Sequence, residues 1–229
     1  MLNYKQQAAD HAFKLIRKGQ TIGLGDGETV LFLAGLIASD LPLAASLRLT
    51  SSSGKTVARL KELDLEVLDL KELKRADIYF DGCDAFDPAL NALKSGAGIH
   101  TVEKILAGMA SEFILIGDSG KYSKQLPTAY PLVVEVIPAA YLSVVNRLEA
   151  HYDDFGCSLS LRSKENRPLL SVHGNYLLNA HFEKFPELPE LNISVKMIPG
   201  VVDHSLFYQM ATSAIISGPG GIQTILRPV

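Results

Sequence analysis

The chain has 229 residues, 47% of them hydrophobic, and its 22 basic against 25 acidic side chains leave a net charge of −3. That content suffices for one packed domain or two modest ones, and the charge leaves no basic field for nucleic acid or anionic lipid, so neither partner is expected. The apolar runs "TVLFLAGLIA" and "FILIG" are too short to span a bilayer, and the opening "MLNYKQQAAD" lacks an apolar signal core, which points to the cytoplasm.

In chain order, Ala8, Ala9, Ala12, Phe13 and Ile16 recur at helical spacing and predict a helix over 5–18 ended by Gly19. A strand is expected at "QTIGLG", a buried helix at "ETVLFLAGLIASD", a strand running into a serine loop at "LAASLRLTSS" and a helix at "GKTVARLKELD". Short strands follow at "LEVLDL" and "ADIYFDG". "HTVEKILAGMAS" reads as a helix with Val102, Ile105, Leu106 and Met109 on one face, and "EFILIGDSGK" as a strand. This alternation predicts an α/β fold, a doubly wound, mostly parallel sheet covered by helices on both faces. After Pro127 and Pro131, a strand "LVVEVIP", a helix over 139–150 and several short strands through 178 suggest a smaller α+β unit. "ATSAIISGPGGIQTIL" reads as a buried strand and a glycine-rich turn that return to the first sheet. The division expected is therefore 1–126 plus 208–229 for the larger domain and 127–207 for the smaller.

Two cysteines, Cys83 and Cys157, are too few for a disulfide framework, and the six histidines lack metal-ligand spacing and read mostly as surface or loop residues. Three predicted strands end in Gly and Asp: "GLGD", "YFDG" and "LIGD". Ligands of open α/β sheets bind outside the carboxyl ends of strands, so Asp26, Asp81 and Asp118 are expected to converge on one crevice; taken singly, each Asp equally suits a helix cap or turn.

Residues 81–104 concentrate the groups a proton transfer needs. Asp81 and Asp84 share a tight turn, and Glu103 lies in the first turn of a helix, whose positive end favours its ionised form as a general base. Lys94 and the amides from Ser95 to Gly98 are suited to negative charge growing on a substrate oxygen. A solvated loop beside an acidic helix start is the plainer alternative.

Taken together, "IGLGDGET", "TSSSGKT", "DGCDAFDP", "LKSGAGIHTVEKILA", "IGDSGK", "PLVVEVIP", "HGN" and "IPGVVDHSLF" resemble, in order, the landmarks of ribose-5-phosphate isomerase, type A. The resemblance implies a Rossmann-like domain with a smaller ferredoxin-like α+β domain, a homodimer or dimer of dimers, and no metal or organic cofactor. It implies an aldose-ketose isomerase of the pentose phosphate pathway that interconverts ribose 5-phosphate and ribulose 5-phosphate through an enediolate. On that pattern Glu103 is the base, Asp81 and Asp84 assist ring opening and move protons among sugar oxygens, and Lys94 steadies the enediolate. Lys121 contacts the substrate, while Asp26, Gly27, Glu28 and Thr29, with Ser95, Gly96 and Ala97, form the loops that hold it.

The departures concentrate on those loops, with others at Ala85, Val133 and "SVHGN". Asp26, Gly27, Glu28 and Thr29 replace the family's usual Thr-Gly-Ser-Thr, Ser95 and Ala97 interrupt its glycine run, and Ala85 replaces a glutamate. At about 5 Å and an effective dielectric near 20, a carboxylate opposes each unit of phosphate charge by roughly 3 kcal/mol before screening. Either Asp26 and Glu28 point away and amides hold the phosphate, with Lys121, Lys5 or Lys55 compensating, or the two carboxylates accept hydrogen bonds from a sugar without phosphate. A sugar-phosphate-binding sensor without catalysis is the reading from another class. It normally carries a DNA-binding helix-turn-helix, for which the short segment before the first strand leaves no room.

Overall fold

A computed structural model describes residues 3–228. Helix α1 (Tyr4–Phe13) is capped by the Asn3 side chain, which accepts from the Gln6 amide at 3.2 Å, and Ala8, Ala9 and Ala12 bury a flat face. It ends a turn earlier than its apolar spacing predicts: Ile16 reaches the core from the following turn, and Gly19, with φ of 80°, redirects the chain rather than ending the helix.

Strand β1 (Thr21–Leu24) and helix α2 (Glu28–Ser39) follow. The strand expected from residue 43 starts only at β2 (Arg48–Ser51), because Asp40 caps and Pro42 favours a short helix, α3 (Leu41–Ala44). Helix α4 (Gly54–Glu62) is capped by Ser53. "LEVLDL" makes only a single bridge between Val67 and Leu49, followed by a 3-10 turn at Leu70–Glu72, so the strand expected there is not formed. Strand β3 (Ala76–Asp81), the small hairpin β4 (Ala85–Phe86) and β5 (Ala92–Leu93), helix α5 (His100–Met109) and strand β6 (Ala110–Asp118) complete the first half. Then come β7 (Leu132–Val136), α6 (Tyr141–Tyr152), β8 (Ser158–Leu161), the ribbon β9 (Ser163–Lys164) and β10 (Arg167–Pro168), and β11 (Tyr176–His181). Helix α7 (Leu188–Lys196) precedes β12 (Val201–His204), β13 (Leu206–Phe207), β14 (Ser213–Gly218) and β15 (Gly221–Leu226).

The main sheet runs β15-β14-β6-β3-β1-β2, parallel throughout except for the antiparallel edge strand β15. Alternate side chains face opposite layers. Ile22, Leu24, Ile78, Phe80, Ile114 and Ile116 meet α1, α2 and α4 on one face, and Tyr79, Phe113 and Leu115 meet α5 and Phe207 on the other. A second, antiparallel sheet ordered β12-β7-β11-β8 is joined in the sequence β-α-β-β-α-β, which is the ferredoxin-like arrangement. Its core is formed by Val134, Val136 and Leu178 against Val144, Leu148, Leu191 and Val195 of α6 and α7. A third sheet, β13-β5-β4, pairs β13, which follows β12 in the chain, with the hairpin that follows β3, and so links the two. Among the described residues no helix is long and apolar enough to cross a membrane.

Helix α5 buries a different face from the one its apolar residues predict. His100, Glu103, Leu106 and Ala107 are buried, whereas Ile105 is 48% exposed. The histidines also divide: His100 and His204 are buried, not superficial.

Candidate active site

The carboxyl ends of β1 and β3 open into a pocket of about 240 Å³, walled by Lys5, Asp26, Gly27, Glu28, Gly82, Cys83, Asp84, Lys94, Gly96, Ala97, Glu103, Ile116 and Lys121. Asp81 lies just behind this wall, fully buried at the end of β3. Its carboxylate accepts from the amides of Asp26 at 3.0 Å and Gly82 at 2.7 Å and from the Tyr79 hydroxyl, and pairs with Lys94 Nζ at 2.8 Å. The opening glycines serve this arrangement directly: a Cβ on Gly25 would lie 1.9 Å from the Asp81 carboxyl carbon.

Lys94 follows β5, and its backbone amide donates to the Ser205 carbonyl at 3.0 Å. Its ammonium sits between Asp81 and Glu103 Oε1, the latter at 3.3 Å, and also donates to the Gly82 carbonyl. Burial opposes the charged lysine, but Asp81 and Glu103 outweigh it and hold its pKa above the ordinary lysine value. For Glu103 burial prevails: it pushes the carboxyl up to about 8, with Asp81 adding to the rise and Lys94 opposing it. The favourable helix end inferred from sequence is therefore overridden by desolvation. Such a group is a stronger base than an ordinary carboxylate and sits beside a permanent cation.

Asp84 lines the pocket and accepts from the amides of Ser95 at 2.5 Å and Gly96 at 3.1 Å, so these two donors already hold a carboxylate. The loop is clamped from the second sheet: Arg162 donates to the Ser95 and Gly96 carbonyls at 2.8 and 2.9 Å and to the Asn179 side chain. Gly98, at φ of 71°, lets Leu177 approach, since a Cβ there would meet Leu177 Cδ1 at 2.5 Å. Phe207 lies beneath, with Lys94 Nζ 5.8 Å and Lys104 Nζ 5.4 Å from its ring centroid.

Several expected positions fall elsewhere. Asp118 is not part of the pocket wall; its carboxylate accepts from the Gly120 amide at 3.0 Å and shapes the turn that carries Lys121. Thr29 is buried within α2, and the Ser95 hydroxyl donates to the Pro131 carbonyl at 2.6 Å, so neither side chain lines the cavity. Lys55 is exposed and outside it, whereas Lys5 is within it, bonded to Glu28 at 2.7 Å. Asp26 accepts from the Ser53 hydroxyl at 2.9 Å. Both acidic side chains of the opening loop thus line the pocket rather than turning from it. Cys83 also lines it, with a thiol pushed up to about 12 by burial and therefore a poor nucleophile.

Three groups escaped the sequence reading. The Tyr79 hydroxyl, bonded to Ser52 Oγ at 2.9 Å, fixes Asp81; Arg162 fixes the loop; Glu135 organises the "HGN" segment. Glu135 accepts from Thr101, from Ser171 at 2.6 Å and from Asn175 at 2.8 Å, which gives that segment a structural role at the amino end of α5. Tyr79 and Glu135 lie on the face of β3 and β7 opposite the main apolar residues of those strands, and their partners are far away in sequence, so no local signal singles them out.

Comparison with known proteins bears on this geometry. The family described as ribose 5-phosphate isomerase A (phosphoriboisomerase A) matches residues 48–221. The ribose-5-phosphate isomerase A of Bacillus mycoides is 32% identical over 97% of this chain and 99% of its own length, and that of Roseiflexus sp. 34% identical over 98% and 96%. A solved D-ribose-5-phosphate isomerase in complex with phospho-erythronic acid superposes with a TM-score of 0.90 at 27% identity, covering 99% of this chain and all of that one. The ribose 5-phosphate isomerase A of Methanocaldococcus jannaschii gives 0.87 at 28%, covering 97% of each chain. A fold shared end to end, a sequence match across most of the chain and a buried lysine set between two carboxylates lead to one assignment: the chain belongs to the ribose 5-phosphate isomerase A family.

Proposed function

We propose that this protein interconverts D-ribose 5-phosphate and D-ribulose 5-phosphate, as an aldose-ketose isomerase of the pentose phosphate pathway. The observation that carries the reading is Lys94, buried with its ammonium 2.8 Å from Asp81 and 3.3 Å from Glu103 on the wall of a sugar-sized pocket. In the open-chain aldose, Glu103 takes the proton from C2, and the electron pair left behind forms the C1–C2 double bond as the carbonyl electrons move onto O1. Lys94 steadies the enediolate oxygen. Glu103 then returns the proton to C1, and a hydroxyl proton passes from O2 to O1. Asp84, which faces the cavity, serves the sugar hydroxyls and ring opening; Asp81, behind the wall, acts by holding Lys94. Lys121 contacts the substrate. Gly27, Gly96 and Ala97 shape the wall, and the solved relative holding phospho-erythronic acid, a phosphorylated four-carbon sugar acid, supports a phosphorylated chain as substrate.

The division into 1–126 with 208–229 and 127–207, a homodimer or dimer of dimers, and a cytoplasmic setting belong to the same reading. Leu142 on α6, Ile193 on α7 and Met197 just after it are exposed and supply apolar surface for self-association, which sedimentation equilibrium measures.

The test is Glu103→Gln with a pH profile. The base must be ionised, and its folded pKa is raised, so kcat/KM should climb with pH and level off above about 8. Glu103→Gln should lower kcat by ~10²-fold or more and abolish exchange of the C2 proton in deuterated water, with circular dichroism unchanged. A variant that isomerises at the normal rate would remove Glu103 as the base.

A further inference from the structure

The wall built by the β1–α2 turn is acidic where a phosphorylated substrate would need it basic. Asp26 and Glu28 both line the pocket, and the charge of Asp26 is felt at Glu103, whose carboxyl it helps to push up. Lys5, which reaches that wall from α1, is engaged by Glu28 at 2.7 Å. Lys94 is committed to Asp81 and Glu103. Among the described residues lining the pocket, Lys121 alone is a cation with no carboxylate in ion-pair range, against Asp26, Glu28 and Asp84. Helix α2 begins at Glu28, after Gly27 with φ of 108°, and its dipole favours an anion at that end. The anions already there are the protein's own side chains.

A carboxylate accepts from hydroxyl groups in several directions, whereas a second anion beside it must be compensated. We infer that Asp26 and Glu28 are specificity-determining residues that make this end of the pocket an acceptor for hydroxyl groups, so that the protein also isomerises aldopentoses ending in a free hydroxymethyl group. This rests on the isomerase reading and leaves its chemistry unchanged. The C2 proton passes to C1 and one hydroxyl proton from O2 to O1, with no oxidant, reductant or co-reactant.

The experiment compares kcat/KM for D-ribose 5-phosphate and D-ribose in the full chain, in Glu28→Gln and in Asp26→Thr/Glu28→Ser. Wild type should turn over both sugars. Glu28→Gln releases Lys5, so the ratio of phosphorylated to neutral sugar should rise about tenfold, mainly through a lower KM for the phosphate, and the double variant should raise it further. Undetectable turnover of ribose by wild type, or a ratio that agrees within about twofold among all three proteins, overturns the inference. Glu28 is half-exposed and the glutamine nearly isosteric, so this single variant keeps the test decisive if the double one misfolds. Glu103→Gln is measured alongside. Loss of both activities there with an unmoved ratio sinks the specificity inference alone, and undiminished activity on both sugars sinks the shared catalytic reading.

Discussion

Gly25 illustrates how much one residue decides. Glycine-rich turns after a first strand commonly admit a ligand phosphate, yet here the space above Gly25 is filled by the carboxyl group of Asp81, which a Cβ would meet at 1.9 Å. Gly25→Ala should therefore displace Asp81, release Lys94 from its 2.8 Å pair and lower kcat by at least ~10²-fold. The Thr56 hydroxyl, which donates to the Gly25 carbonyl at 2.6 Å, limits how far the backbone can retreat. Steady-state kinetics check this, and a variant with normal kcat would mean that the carboxylate has room to move. Glycine at this position was visible in the sequence, but its reason was not. The carboxylate that needs the space lies more than fifty residues away, and a turn gives no sign of what approaches it.

At the scale of single elements, α5 carries the clearest departure from simple amphipathicity. Its buried face includes His100, whose Nδ1 has no partner among the described residues and whose pKa burial lowers to about 4. In the unfolded chain a histidine titrates near 6.5, so its neutral burial contributes stability that is complete above that pH and is lost as pH falls toward 4. His100→Leu should flatten the decline of unfolding free energy between those values by about 1.4 kcal/mol per pH unit, read from urea titrations at several pH values. An unchanged slope would show that His100 is not what makes the fold acid-sensitive. The strands and most helices were legible because period-2 and 3.6 patterns reflect burial. Helix α5 was legible as a helix, but its buried face was not, because the pattern assumes that polar side chains face water, and Glu103 and His100 are held inward by Lys94 and the neighbouring sheets. The end of α1, the delayed start of β2 and the unformed strand at "LEVLDL" reflect capping and competing turns, which a run of apolar letters does not encode.

Across the whole molecule polar contacts help to join the layers of the two larger sheets. Lys104, on α5, meets Asp203 of β12 at 2.7 Å, and both side chains are mostly buried. Burial lowers the lysine to about 8 despite its partner, while Lys104 outweighs burial at Asp203 and holds it at about 2. Removing one partner leaves the other desolvated, so Asp203→Asn should cost about 3 kcal/mol, seen as a lower urea midpoint at constant m-value. A loss below ~0.5 kcal/mol would mean that Lys104, already lowered to about 8 by burial, sheds its proton or reaches water once the carboxylate is gone. The clustering of Asp81, Asp84, Lys94 and Glu103, the group the proposed mechanism uses, was readable because these residues are compact in sequence and lie near strand ends where α/β folds bind ligands. Thr29, Ser95 and Asp118 were misplaced because loop position does not say which way a side chain turns. Tyr79, Arg162 and Ser53 act on segments distant in the chain and leave no local trace.

The Arg162 guanidinium reaches carbonyls 66 and 67 residues away to fix the loop that follows Lys94. Neither layer of the protein can thus complete the cavity before the other has docked. When the denatured chain is diluted into buffer, ellipticity should recover first and turnover last, with a lag that stopped-flow circular dichroism beside timed activity assays would expose.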